Sequence, residues 1–366
     1  MKIVFRVDAS LSIGSGHVFR CLNLAGALRK NGFECIFLTK EHAGNLIQYI
    51  KTYLFQVYVI SKEDNVDDKY IENEKEWLGG SQKEDAEKTC EIIYRNNFAP
   101  GIFIIDHYSL DSEWESLIKW KFPSTKIVVI DDLCNRKHYC DILIDSTFER
   151  TSEEYRRLVP EYCTILAGTD YALLKDEFLQ LRKEAILKRT SILSPQKILI
   201  TMGGVDIHNV TGKVLKELNN RADLHYKKIT VVLGVNCPHK KNIENIAQSI
   251  KYDVDIKVNT NNMPQLMLEH DLSIGALGST TWERAVLGLP TVNIAIADNQ
   301  LVIVEKLRRN GFIVFDSINF TGAELARSLI KLTDFYDEMV SRSLSICDGR
   351  GLQRTLKFIM SLSTNK

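Results

Sequence analysis

The chain has 366 residues, 45 % hydrophobic and 26 % charged, with 47 Lys and Arg balanced by 47 Asp and Glu. That length asks for two cores rather than one, and a net charge of zero supplies no field for nucleic acid or an anionic membrane. An anionic ligand must then be met by a local site.

The opening MKIVFRVD reads as a strand rather than as the apolar core of a signal peptide, and no apolar run reaches the about 18 residues that span a bilayer. Eight scattered cysteines, none in a CxxC pair, fit the reduced thiols of a cytoplasmic protein. Short β-branched runs then alternate with amphipathic segments, which predicts α/β units with parallel sheets. In the first half strands are predicted at KIVFRVD, ECIFLT, VYVI, GIFIID, KIVVID and DILID, with helices across 18–31, 42–51, 82–96 and 112–121. GNLIQYIKTYLF reads as a buried helix leading into a strand, and SKEDNVDDKYIENEKEW as a polar, irregular excursion. In CNRKHYC, Cys134, His138 and Cys140 lack the fourth ligand and the regular spacing of a zinc site, so a loop is expected there.

YALLKDEFLQLRKEAILKRTSILSP is charged, helix-prone and ends at Pro195, and it reads as a linker. Beyond it KILITMGG, ITVVLG, VDIKVN, DLSIGAL, TVNIAI and FIVFD are strand candidates with helices between them. Both halves open on a buried strand, a glycine-rich turn and a helix. The expected architecture is two doubly wound Rossmann-like domains facing a cleft, with ligands at the carboxyl ends of the strands. Residues 1–170 form the first domain, 171–195 the linker, 196–345 the second domain and 346–366 a terminal helix.

The turn SIGSGHVFRC puts His17 where a helix begins, after Gly14, Ser15 and Gly16. Phe19 stands where a dinucleotide fingerprint wants a third small residue, and the second strand ends in Thr39 and Lys40 rather than an acid, which disfavours NAD. No P-loop pattern occurs. Val18, Cys21, Leu22, Ala25 and Leu28 form one apolar helix face. His17 therefore sits at the positive end of the helix dipole, which favours a neutral ring, competent as a general base. A histidine that merely caps the turn is the other reading.

In the second half GALGSTTWERAVLGLP brings Gly278, Ser279 and Thr280 to a helix start suited to a diphosphate. Glu283 either accepts hydrogen bonds from ribose hydroxyls or completes a capping box with Thr280. DNQ places Asp298, Asn299 and Gln300 at another strand end, although Gln300 equally suits the surface start of the next helix. GGVDIHN, with Gly204, is a further phosphate candidate, and Asp206 and Asn209 are either ligand groups or helix caps. Asp106, His107, Tyr108, Asp131 and Asp132 follow first-half strands in the same way.

Taken together, FRVDASLSIGSGHVFRCLNLAGAL, WLGGSQKEDAEKT, IIDHYSLDSEWE, VIDDLCNRKHYCDILID, ILITMGGVDIHNVT and STTWERAVLGLPTVNI…DNQ resemble the UDP-2,4-diacetamido-2,4,6-trideoxy-β-L-altropyranose hydrolases of bacterial pseudaminic acid biosynthesis. The resemblance implies a GT-B-like architecture, similar to the transferase that adds N-acetylglucosamine to the peptidoglycan lipid precursor. It implies inverting attack of water at the anomeric carbon, releasing UDP and the free sugar, with neither cofactor nor metal. His17 would be the base and Gly14, Ser15 and Gly16 its loop; Asp8, Tyr108, Asn299 and Gln300 would touch the substrate, and Gly204, Gly278, Ser279, Thr280 and Glu283 the UDP. The last helix, near 350–363, would cross back onto the first domain. The expected protein is a monomer that binds a small UDP-sugar and neither nucleic acid nor membrane. A UDP-sugar-dependent glycosyltransferase is the rival, followed by a sensor without turnover, which leaves the histidine without a purpose.

Overall fold

The computed structural model describes residues 1–61 and 71–364, in two compact units: 1–173 with 350–366, and 174–349. Most of SKEDNVDDKYIENEKEW lies outside the described residues, and Glu74–Glu76 at its end forms a 3-10 turn.

In the first unit the elements run β1 (Lys2–Val7), α1 (Gly16–Lys30), β2 (Glu34–Lys40), α2 (Ile47–Thr52), β3 (Gln56–Ile60), α3 (Gln82–Arg95), β4 (Pro100–Asp106), α4 (Ser112–Lys121), β5 (Lys126–Ile130), β6 (Ile142–Asp145), α5 (Ser152–Tyr155) and β7 (Thr164–Ala167). The sheet is wholly parallel in the order β3-β2-β1-β4-β5-β6-β7, with Val4 opposite Ile36 on one side and Phe103 on the other. Helices cover both faces, so the central strands are continuously apolar instead of alternating. On β1, Ile3, Phe5 and Val7 pack with Val18, Cys21, Leu22 and Ala25 of α1, while Val4 joins Leu38, Phe103 and Trp114 on the opposite face. The short strand β7, absent from the predicted set, is only four residues long and half-exposed.

The second unit runs α6 (Asp176–Arg189), β8 (Lys197–Thr201), α7 (Val210–Asn219), β9 (Lys228–Leu233), α8 (Lys240–Ser249), β10 (Val254–Val258), α9 (Met263–Glu269), β11 (Leu272–Ala276), α10 (Ser279–Val286), β12 (Thr291–Ile294), α11 (Leu301–Arg309), β13 (Ile313–Phe315), α12 (Gly322–Asp334) and α13 (Tyr336–Ile346). Its sheet is again parallel, in the order β10-β9-β8-β11-β12-β13. The last helix, α14 (Gly351–Thr364), belongs to the first unit, where Leu352 and Ile359 enter the core beside α1.

The expected linker is instead a structural helix of the second unit. Arg182 of α6 donates to the carbonyls of Val286 (2.6 Å) and Cys347 (3.0 Å), and the buried Arg189 to those of Met267 (2.7 Å), His270 and Leu287. These arginines satisfy carbonyls left open at helix ends, a use that charge patterning alone does not reveal. Among the described residues no helix is long and apolar enough to cross a membrane.

In each sheet the order reverses beside the first strand, between β1 and β4 and between β8 and β11. Such switch points part the loops at the carboxyl ends of the strands and leave room for a ligand.

Candidate functional site

In the first unit, β1 ends in a turn in which the Gly14 N–H donates to the Ser10 carbonyl at 2.9 Å. Gly14 adopts φ +76, a left-handed conformation that side chains resist. Ser15 is the N-cap of α1 but its hydroxyl caps nothing, and Gly16 and His17 are the first two helical residues. The His17 ring, 7 % exposed, caps nothing in its own helix either: Nδ1 lies 2.5 Å from Oδ1 of Asp106 at the end of β4. Burial alone would raise the Asp106 carboxyl, but the Arg20 guanidinium and the His17 ring hold it far below the ordinary carboxylate range. An ionised carboxylate only accepts, so in a neutral His17 the proton resides on Nδ1 and the lone pair on Nε2.

Arg20, one turn further along α1, grips Asp106 with Nε and Nη2, both at 2.7 Å, and reaches Asp132 with Nη1 at 2.5 Å. The Tyr108 phenol donates to the same Asp132 oxygen at 2.9 Å, and its ring stands edge-on to His17 with centroids 4.5 Å apart. Trp77 stacks on Tyr108 at 5.8 Å. Burial, with Asp132 beside it, raises the Tyr108 phenol well above its ordinary value, so it stays a donor. His17 is thus clamped from below by a carboxylate and from the side by an aromatic ring.

Asp8 is corrected by the structure. Expected to touch substrate, it is fully buried, and its Oδ1 accepts from Arg6 (2.6 Å), the Lys40 amide (2.6 Å) and the Thr39 hydroxyl (3.2 Å). Arg6 in turn forks onto Asp85 at 2.9 and 2.7 Å. The Ser109 amide donates to Nδ1 of His107, so Nε2 carries the proton and faces Asp8 Oδ2 at 3.2 Å. Asp8 ties together the ends of β1, β2 and β4 beneath the loop. In CNRKHYC the three side chains go separate ways: His138 to Glu115 at 2.7 Å, Cys140 to Cys163 at 3.5 Å, and Cys134 to the Glu154 carbonyl at 3.5 Å.

In the second unit two helix starts were phosphate candidates. At α7, Asp206 accepts the amides of Val210 (2.8 Å) and Thr211 (3.0 Å), and Asn209 that of Gly212 (3.2 Å). These residues are helix caps, and their carboxylate fills the place an anion would take. The backbone of Gly204 lies against Gly234, where a Cβ would come within 1.9 Å of the Gly204 carbonyl oxygen. At α10 the N-cap is Gly278, with no side-chain cap on the helix amides, and only its own N–H is served, by Thr281 Oγ1 at 3.2 Å. Ser279 and Thr280 open the helix, half-exposed.

With Gly278 as cap, Glu283 lies beyond the first turn, and the capping box with Thr280 does not form. The half-buried carboxyl has no hydrogen-bond partner among the described residues, and loss of hydration, opposed by Lys175 and Arg284, pushes it up to about 7. Arg284 beside it is 1 % exposed and donates to Thr280, Thr281, Asn293 and the Ala276 carbonyl. In the DNQ turn, Asn299 is exposed, while Gln300 spends its carbonyl oxygen on the Ile296 amide at 2.9 Å.

Arg20 and Arg284 were absent from the predicted site, and Asp106 and Asp132 stood only among its strand-end candidates, without an assigned role. The two aspartates were visible as strand-end acids. Arg20 carried a signal in its spacing, three residues after His17 and so on the same helix face. Arg284 carried none, because the same residue on an exposed helix face reads identically.

Among known proteins, the chain is 28 % identical over 314 residues to the UDP-2,4-diacetamido-2,4,6-trideoxy-β-L-altropyranose hydrolase of Campylobacter jejuni, covering 86 % of this chain and 98 % of that protein. It is 30 % identical over 298 residues to an uncharacterised protein of Methanocaldococcus jannaschii, 80 % of this chain but 55 % of that one, so it spans about half of that relative's length. A spore coat polysaccharide biosynthesis protein of Bacillus subtilis is 25 % identical over 225 residues, 60 % of this chain and 64 % of its own. No family model matches the sequence. Among solved structures, Acinetobacter baumannii MurG superposes with a TM-score of 0.67 at 13 % identity over 98 % of this chain and 99 % of its own. The calicheamicin glycosyltransferase CalG4 gives 0.65 at 12 % over 100 % and 98 %. At such identity the likeness concerns fold alone, the two-domain Rossmann-like α/β fold of GT-B glycosyltransferases.

Proposed function

We propose that this chain, similar to the UDP-2,4-diacetamido-2,4,6-trideoxy-β-L-altropyranose hydrolases, hydrolyses that class of UDP-sugar to UDP and the free diacetamido sugar by inverting attack of water at the anomeric carbon. The observation that carries the reading is the buried His17–Asp106 pair, Nδ1 to Oδ1 at 2.5 Å. A carboxylate that accepts a hydrogen bond from Nδ1–H leaves Nε2 as a base and stabilises the imidazolium that forms. In the proposed step the water proton passes to Nε2 as the water oxygen bonds to the anomeric carbon. The bond from that carbon to the β-phosphate oxygen breaks, and UDP leaves with the electron pair.

UDP is a good leaving group, so the tasks are to deliver the nucleophile and to hold developing negative charge. Amides at a helix start do the second, and the uncapped start of α10 is our choice for the diphosphate, with Glu283 for the ribose hydroxyls. The buried start of α7, closed by Asp206, is not assigned to phosphate. Tyr108, whose hydroxyl is committed to Asp132, is assigned to hold the His17 ring rather than to bind the sugar directly.

Turnover in ¹⁸O-labelled water, with both products weighed by mass spectrometry, tests the reading. Label in the free sugar is expected. Label in UDP would mean attack at phosphorus and would remove the role given to His17. Turnover only when a second sugar or lipid acceptor is added would replace the hydrolase with a transferase.

A further inference from the structure

Among the described residues Arg284 has no ion-pair partner, and the adjacent Glu283 carboxyl acts on it only from a distance. Its guanidinium is 1 % exposed, yet its acceptors are all neutral: the Ala276 carbonyl at 3.0 Å, and Thr280 Oγ1, Thr281 Oγ1 and Asn293 Oδ1, each at 3.2 Å. Among the described residues no carboxylate lies within ion-pair distance of it, and its Nε–H is buried without an acceptor. The other buried arginines are compensated. Arg6 holds two aspartates and Arg150 an aspartate and a glutamate. Arg189 lacks a carboxylate, but it donates to carbonyls at the ends of α9 and α10, the negative ends of those helix dipoles. Arg284 donates to hydroxyls in the first turn of α10, where its charge adds to the positive end of the dipole. A buried, uncompensated cation is costly. Strand β11 nevertheless makes room for it, since a Cβ at Gly275 would lie 2.4 Å from Nη1.

The two threonines show where this charge is directed. Thr281 Oγ1 accepts from the Gly278 amide and from Arg284, and its own hydrogen goes inward to the Ala276 carbonyl at 3.5 Å. Among the described residues Thr280 Oγ1 accepts from Arg284 Nη1 alone, and Thr280 is half-exposed. With the guanidinium on one of its lone pairs, the Thr280 hydroxyl keeps its hydrogen free to donate outward, which suits an anion.

We propose that Arg284 is a positioning residue for a nucleoside diphosphate at the start of α10, acting through the Thr280 hydroxyl, and that the bound diphosphate supplies its missing counter-charge. The assignment rests on the reading of the α10 start as the UDP site. Arg284 itself does not touch the ligand. It polarises and orients the donor that does, and it contributes a full positive charge at one remove.

Titration calorimetry on the full chain with UDP and with uridine separates the possibilities. Arg284→Met should weaken UDP by about 10- to 100-fold, the scale of one charge-assisted hydrogen bond, and leave uridine within about two-fold. Arg284→Lys should recover most of the UDP affinity. Thr280→Val, on a half-exposed site that tolerates it, should show the same selective loss, and the double variant should bind UDP about as well as either single one. Equal losses for UDP and uridine would show a merely structural role and overturn the inference, as would additive losses in the double variant. If Arg284→Met fails to fold, a Thr280→Val protein that keeps full UDP affinity overturns it alone. A wild-type chain that binds no UDP would remove the site reading itself, whereas wild-type binding with Arg284→Met unaffected removes only the role of Arg284.

Discussion

Arg20 and Arg284 each stand in the second turn of a helix that follows a parallel strand and a small-residue turn, and their surroundings differ in one respect. Arg20 is held by two carboxylates, Asp106 and Asp132; Arg284 is held by hydroxyls, an amide oxygen and a carbonyl. Around Arg20 two carboxylates outweigh the one guanidinium, and His17 beside them is an imidazole fixed by an ionised acceptor, an arrangement for moving a proton. Around Arg284 no carboxylate of the described residues lies within ion-pair distance, an arrangement for holding an anion. A repeated α/β plan supplies the same helix start twice, and the neighbouring carboxylates decide what it is good for. The start of α7 makes the point a third time: Asp206 occupies it and leaves it purely structural.

The largest expected effect strikes the proton-moving side. His17→Ala should lower turnover by about 10²–10⁴-fold with UDP affinity nearly unchanged by calorimetry; loss of UDP binding as well would erase the division of labour between the two helix starts. Asp106→Asn keeps the shape but replaces an obligate acceptor with a group that can also donate, so the ring can be held with its proton on the wrong nitrogen. Turnover should fall by about 10²-fold, with the pH–rate profile displaced, and a variant with wild-type rate and profile would reduce Asp106 to packing.

On the anion-holding side, Glu283 sharpens the contrast through pH. Its carboxyl is raised to about 7, so it is largely protonated below that value and an acceptor of two hydroxyls above it. Binding to ribose favours the ionised form, so uridine affinity should rise as pH increases toward 7 and level off above it. Glu283→Gln should flatten the profile, and an unchanged profile would move the ribose elsewhere. The smallest effect belongs to the third helix start. Asp206→Ala should cost about 1 kcal/mol of stability, the ordinary worth of a cap, in denaturant unfolding, and leave UDP affinity untouched. Weakened UDP binding would show that α7 shares the anion after all.

Periodicity made the alternation of parallel strands and helices legible, because each central strand is apolar on both faces and each helix on one. It missed β7, too short to carry a pattern, and it took α6 for a linker, because the polar residues that mark an exposed helix are here guanidiniums buried on helix-end carbonyls. The glycine turns, His17 at a helix start and the Ser279–Thr280 pair were readable for the same local reason: backbone conformation and amide exposure depend on neighbours in sequence. Partnership between side chains does not. Asp8 looked like a ligand group and is sealed under the loop, and Asp206 and Asn209 stood equally as ligand groups or caps until their hydrogen bonds made them caps. The pairing of His17 with Asp106, 89 residues away, and the neutral acceptors around the Arg284 guanidinium were decided by which strands lie side by side. Local sequence determines what each segment becomes, while tertiary packing determines which charges meet, and at a helix start that meeting separates a base, an anion site and a cap.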